Sequence, residues 1–118
     1  MKNKVEFWQY LDELAHTSQL VIDRPSGSTH PRFPGQVYPL DYGYLEGTSS
    51  ADGGGIDIWI GSQGTGQITG ILCTVDLLKR DGEMKVLLGC TEEDVQQILQ
   101  FVNSHSMRAI YIPRHAGG

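Results

Sequence analysis

Sulfur, positive charge and long apolar runs are all scarce in this chain, and each shortage removes a class of protein. There are two cysteines in 118 residues. Cys73 and Cys90 have no CxxC or Cys/His ligand spacing, so neither a disulfide framework nor a zinc site is expected. Cys73 lies in the apolar segment ITGILCTV and reads as a buried thiol. Cys90 precedes a helix start, where the dipole can lower a thiol pKa, but both are read as structural, the usual state of a free cysteine. Nine Lys and Arg stand against fourteen Asp and Glu, for a formal net charge of -5. The basic residues are scattered, which excludes a nucleic-acid surface and a polybasic membrane patch. No apolar run approaches the ~20 residues of a membrane-spanning helix. The first residues, MKNKVEFWQYLDEL, follow a basic pair with acids and aromatics, unlike a signal peptide; a cytoplasmic protein is expected. The four histidines, His16, His30, His105 and His115, show no ligand spacing and are assigned no role.

What is present describes one soluble domain, residues 1–118, with 39% hydrophobic and 19% charged residues and room for one modest core. Residues 3–17 read as an amphipathic helix with Trp8, Leu11, Leu14 and Ala15 on one stripe. The aromatic pair Phe7 and Trp8 suits either a subunit contact or closure of the core. LVID (20–23) is a short strand, and residues 24–37, rich in Pro and Gly, form an ordered loop. Ile56, Ile58 and Ile60 alternate as a strand, which turns Asp57 away from them toward the face of Trp59. GSQGTGQ (61–67) has hairpin character, followed by a long strand at 68–78, a KRDG turn and a returning strand at 83–89. Thr91 and the acids after it open a helix whose apolar face is Val95, Ile98, Leu99 and Val102. A last strand covers 108–112. The order α-β-β-β-β-α-β suggests a small, mostly antiparallel barrel or an α+β sheet.

The chemistry concentrates at residues 38–60, YPLDYGYLEGTSSADGGGIDIWI. Asp52 and Asp57 bracket three glycines with no basic residue between them, and two close carboxylates repel unless a cation or proton joins them. Asp76 interrupts an apolar strand, where a charge needs a partner, and Asp81 follows in the next turn. Oxygen ligands without His or Cys point to Mg²⁺ or Mn²⁺. Arg32 and Lys85 are the cations best placed to meet an anion there, ahead of Arg24 and Arg80. Tyr38, Tyr42 and Tyr44 suit core aromatics with wet hydroxyls.

These residues resemble a known family. YPLDYGYLEGTSSADGGGID is similar to the signature of the family I soluble inorganic pyrophosphatases, approximately Y-P-x-N-Y-G-Y/F-I/L-x-x-T-x-x-x-D-G-D-P-x-D. Tyr38, Pro39, Tyr42, Gly43, Tyr44, Thr48, Asp52, Gly53 and Asp57 match without a gap. Upstream, VIDRPSG and HPRF set Asp23 on a family Glu and Arg32 on its phosphate-binding Lys. Downstream, GILCTVDLLKRDGEMKVLL sets Asp76 and Asp81 on an acid pair, with Lys85 on a phosphate-binding lysine after an insertion of two residues. The resemblance spans residues 20–89.

It implies a small OB-like five-stranded barrel with flanking helices, Mg²⁺ (or Mn²⁺) held by Asp52, Asp57, Asp76 and Asp81, and pyrophosphate gripped by Arg32, Lys85, Asp23 and Tyr38. It makes Asp57 the bridging carboxylate and Tyr42 a group that positions the nucleophile. It also implies hydrolysis of pyrophosphate or a related phosphoanhydride, and assembly into a homo-oligomer. The departures are specific. The middle acid of D-G-D-P-x-D is Gly54 and its Pro is Gly55. The Asn before Tyr-Gly is Asp41, a candidate to replace the missing acid. The segment from Arg32 to Tyr38 is short, and the C-terminal Tyr-Lys clamp lacks a counterpart beyond Arg108 or Arg114. A non-catalytic protein holding a diphosphate-containing nucleotide is the alternative expectation.

Overall fold

Alternation along a few strands divides this protein into two unequal faces. The computed structural model describes residues 2–51 and 53–115. In chain order the elements are α1 (Lys2–His16), β1 (Gln19–Arg24), β2 (Asp41–Glu46), β3 (Ile56–Ile60), β4 (Ile68–Asp76), β5 (Asp81–Leu88), α2 (Glu92–Val102) and β6 (Met107–Pro113). The strands form one six-stranded mixed sheet in the order β1-β2-β3-β5-β4-β6. All pairings are antiparallel except β3 with β5, which are parallel. No helix among the described residues is long and apolar enough to cross a membrane.

Ile58, Ile60, Leu45, Ile71, Val86 and Leu88 face α1 and bury Trp8 and Leu11. Trp8 thus belongs to the core, whereas Phe7 remains 43% exposed. The opposite face carries Trp59, Leu72 and Leu87 under Val95, Ile98 and Val102 of α2. A helix is only about 10 Å wide, while six strands at ~4.8 Å spacing span about 24 Å. One helix therefore cannot cover this face, and the part it leaves bare holds the polar side chains considered below.

The α+β, mostly β reading holds, but the closed five-stranded barrel does not: the sheet is open and has six strands. The additional strand is β2, DYGYLE. Its glycine and flanking acids obscure an alternation of Tyr42 and Tyr44 with Gly43 and Leu45. Residues 61–67 do not close a hairpin, because β5 lies between β3 and β4. β4 ends at Asp76 rather than 78, since Asp76 Oδ1 accepts the Leu78 and Lys79 N–H groups at 3.0 Å each, turning the chain and leaving Leu77 and Leu78 more than 70% exposed.

The free edge of β6 is protected. Leu77 N–H bonds Ser106 O and Arg114 N–H bonds Thr69 O, so the even-numbered residues of β6 point their N–H groups at β4 and the odd-numbered ones point outward. Of those, Met107 N–H is taken by Ser104 O, Ala109 N–H by Asn103 Oδ1 at 2.8 Å, and Pro113 has none. Only Tyr111 offers an edge donor, which blunts strand addition there.

α2 is fixed by a capping box: Asp94 N–H bonds Thr91 Oγ1 at 3.1 Å, and Thr91 N–H bonds Asp94 Oδ2 at 2.9 Å. The same Oδ2 accepts Ser62 N–H and Oγ–H. Burial pushes the Asp94 carboxyl up, but bonds from Thr91 and Ser62 outweigh it and hold it below the usual range. Asp94→Ala should cost about 2–3 kcal/mol, a lost cap plus stranded donors, read as a lower midpoint in urea. Because the folded pKa lies below the unfolded one, this contribution is complete above the ordinary carboxylate range and disappears as pH falls through the folded pKa. The deficit of the variant should therefore shrink in acid.

Candidate functional site

Parallel pairing of β3 with β5 sets Ile58 beside Val86, which brings Asp57 and Lys85 together on the face that α2 leaves bare. Tyr42 lies opposite Trp59 on the neighbouring strand and reaches the same point. Lys85 Nζ donates to Asp57 Oδ2 at 2.9 Å and to the Tyr42 hydroxyl oxygen at 3.0 Å. Tyr42 Oη donates to the same Oδ2 at 2.5 Å. Glu83, two residues before Lys85 and on its face, places Oε2 3.5 Å from the ammonium. Lys85 is 5% exposed, so its charge depends on these partners. The cation that Asp57 requires is supplied by the protein itself. Burial, with the Asp57 charge added, raises the Tyr42 phenol well above its ordinary pKa, so it remains a donor.

This cluster forms part of the wall of a cavity of about 390 Å³. Of the residues singled out in the sequence, Asp23, Arg32, Tyr38, Tyr42, Asp57, Asp76 and Lys85 line it, with Arg24. Asp41 and Asp81 do not join them. Asp41 is not in the lining: it precedes Tyr42 on β2, so alternation turns it to the opposite face, and its Oδ1 accepts Ser26 N–H at 2.8 Å. It therefore anchors the 25–40 loop and is not placed to replace a missing acid beside Asp57. Asp81 sits opposite Asp76 in the ladder but outside the lining. Asp52 lies outside the described residues. Arg80 is also outside the lining, in the turn with φ +58°. Neither candidate for the C-terminal clamp is present: Arg114 makes a bidentate pair with Asp12 at 2.8 and 2.9 Å beside Trp8, and Arg108 donates to backbone carbonyls at 105 and 107.

The cavity also recruits residues that the sequence reading left aside: His30, His105, Lys79, Glu83 and Trp59. Lys85 and Glu83 carried a legible signal, charges at i and i+2 in a strand whose later residues are apolar; Lys79 carried none. Burial lowers the His30 pKa, helped by the charges of Arg24 and Arg32, so it is neutral at pH 7. Burial raises the Tyr38 pKa, partly offset by Arg24. Asp76 is held below the usual carboxylate range by the Lys79 N–H and by Ser106 Oγ–H at 2.7 Å. Cys90 is not activated by the helix after it: burial and the Asp94 charge push its thiol up to about 12.

Among the described residues Arg24, Arg32 and Lys79 have no ion-pair partner. Against Asp23 and Asp76, the two acids of the same wall that also lack an ion pair, these three cations leave an excess of positive charge that favours an anionic guest, and guanidinium matches phosphate oxygens in geometry as well as charge. For a divalent cation, Asp57 Oδ1 and Asp76 Oδ2 are the oxygens of these carboxylates without a hydrogen bond among the described residues. The described residues contain no group of three or more His, Cys, Asp or Glu able to hold a metal. Asp57 Oδ2 is already occupied by Tyr42 and Lys85, and Asp76 Oδ1 by backbone N–H and Ser106.

Comparison with protein-family models and with curated proteins finds no match to this chain.

Proposed function

We propose that this chain is a short, divergent relative of the family I soluble pyrophosphatases and that its cavity hydrolyses inorganic pyrophosphate, or a related phosphoanhydride, with Mg²⁺ or Mn²⁺. One observation carries the reading. Seven residues chosen on the sequence resemblance, spread from Asp23 to Lys85, line a single cavity, although the resemblance knows nothing of their positions in space.

Arg24, Arg32 and Lys79 bind phosphoryl oxygens. The ammonium of Lys85 moves from Asp57 toward the phosphate charge, which outbids a single carboxylate in a site of low dielectric. Asp57, so released, takes the proton of the attacking water, with Tyr42 holding its geometry. Water oxygen bonds to one phosphorus, the bridging P–O bond breaks, and the departing phosphate keeps the electron pair beside Lys85. A divalent cation, when bound, would add charge neutralisation and a more acidic water. Gly54 supplies no second carboxylate, so the rate should fall several powers of ten short of an optimised site if each missing group costs ~2–4 kcal/mol.

Phosphate release from pyrophosphate should be measured with Mg²⁺, with Mn²⁺ and with chelator, next to calorimetric titration of pyrophosphate. Divalent-dependent release is expected. Tight binding with no release above background would leave a binding protein in place of an enzyme.

A further inference from the structure

The cavity is larger and less polar than a pyrophosphate ion requires. Its volume, about 390 Å³, falls in the range of roughly 300–1,000 Å³ that holds drug-sized ligands. Its lining is also of two chemical kinds. One is the ionic cluster around Lys85. The other is a wall of rings reached from that cluster through Tyr38, whose centroid lies 5.6 Å from Tyr42, 4.7 Å from Phe101 and 6.1 Å from His30 in a parallel arrangement. From His30 the wall continues to Phe33 at 5.1 Å, and Phe33 stacks on His105 at 3.7 Å with planes 10° apart.

The ring wall is pre-assembled. It joins the 25–40 loop to the end of α2, and Gln36 Nε2 ties the two by donating to Phe101 O at 3.2 Å and Ser104 Oγ at 2.8 Å. An independent sign of a guest is Trp59. It is 1% exposed, it lines the cavity, and its indole N–H has no hydrogen-bond partner among the described residues. Buried donors are rarely left unmade, and a ligand acceptor would satisfy this one.

We propose that the cavity selects a nucleoside diphosphate group, with the diphosphate among the cations and the base on the ring wall. The inference rests on the reading that this cavity accepts a diphosphate. Flat rings recognise bases by stacking, with little dependence on base identity, while Arg and Lys hold the phosphates. A site for pyrophosphate alone has no use for the rings of Phe33 and His105 in its lining.

The test is calorimetric titration of the intact protein with ADP, inorganic pyrophosphate and an alkyl diphosphate. ADP should bind about tenfold or more tightly than the alkyl diphosphate, as stacking on an aromatic wall provides. Phe33→Ala should cut the ratio of ADP to pyrophosphate affinity about tenfold, and His105→Ala, at an exposed position, does the same if the Phe33 variant fails to fold. An ADP affinity equal to that of the alkyl diphosphate, or an affinity ratio that neither variant changes, overturns the inference. The two readings fail separately. Pyrophosphate turnover without an ADP preference removes the nucleoside alone, whereas ring-dependent ADP binding without turnover removes hydrolysis alone.

Discussion

Gly43→Ala should leave the protein largely unfolded at temperatures where the parent is intact. An added Cβ would lie within a bond-like separation of Val21 O, 2.8 Å from Val21 C and 2.9 Å from Ile22 Cα. All three are backbone atoms, so no side chain can swing aside. Gly43 faces Ile22 in the ladder where the β1–β2 register slips between Ile22 and Arg24; β1 crosses close over β2 because no side chain stands in its way. Restoring ordinary contact would tear β1 from β2. Overpacking in a mobile core costs about 1–3 kcal/mol, and rigid backbone raises that to roughly 4 kcal/mol or more, against a total stability of about 5–15 kcal/mol. Thermal unfolding followed by circular dichroism should show a midpoint lower by about 15 °C or more. A midpoint within a few degrees of the parent would mean that β1 does not cross where described.

Lys85→Met should damage both stability and activity. It removes the cation shared by Asp57 and Glu83, whose side chains are 27% and 11% exposed. Removing one partner of a buried pair costs about 3–5 kcal/mol; the partial exposure of Asp57 puts the expected loss at the lower end of that range. Turnover of pyrophosphate should fall by at least about a hundredfold, the usual loss on deleting a donor aimed at developing charge. Lys85→Arg keeps the charge but not the point geometry, and should recover most of the stability and little of the rate. An unchanged unfolding midpoint for Lys85→Met would show that Lys85 does not bridge these acids.

Local rules were legible in the chain, and long-range pairing was not. Alternation along IDIWI put Asp57 on the Trp59 face, and the structure has both on one cavity wall. The Thr91 cap and the face of α2 follow from side-chain chemistry and a 3.6-residue period. Strand β2 was hidden because Gly43, essential to the crossing of β1, interrupts its pattern. The parallel neighbour of β3 could not be read, since no local signal distinguishes a strand that pairs with the next from one that pairs with the one after. That single fact of topology sets Lys85 against Asp57. The acids called for a cation beside them, and the sheet order sets the ammonium of Lys85 against Asp57. Asp41 shows the reverse: its place next to Tyr42 in sequence sends it to the other face of the sheet.

The measurement that bears most directly on the central claim is phosphate release from pyrophosphate at saturating Mg²⁺, comparing the parent protein with Asp57→Asn. Asparagine preserves the shape of the side chain but cannot accept the proton of water or hold the charge that Lys85 and Tyr42 contact. The account predicts release by the parent and at least about a hundredfold less by the variant, with pyrophosphate still bound by both. Equal release by the two proteins would contradict it, because the hydrolysis would then be taking place without the Asp57 carboxylate on the cavity wall.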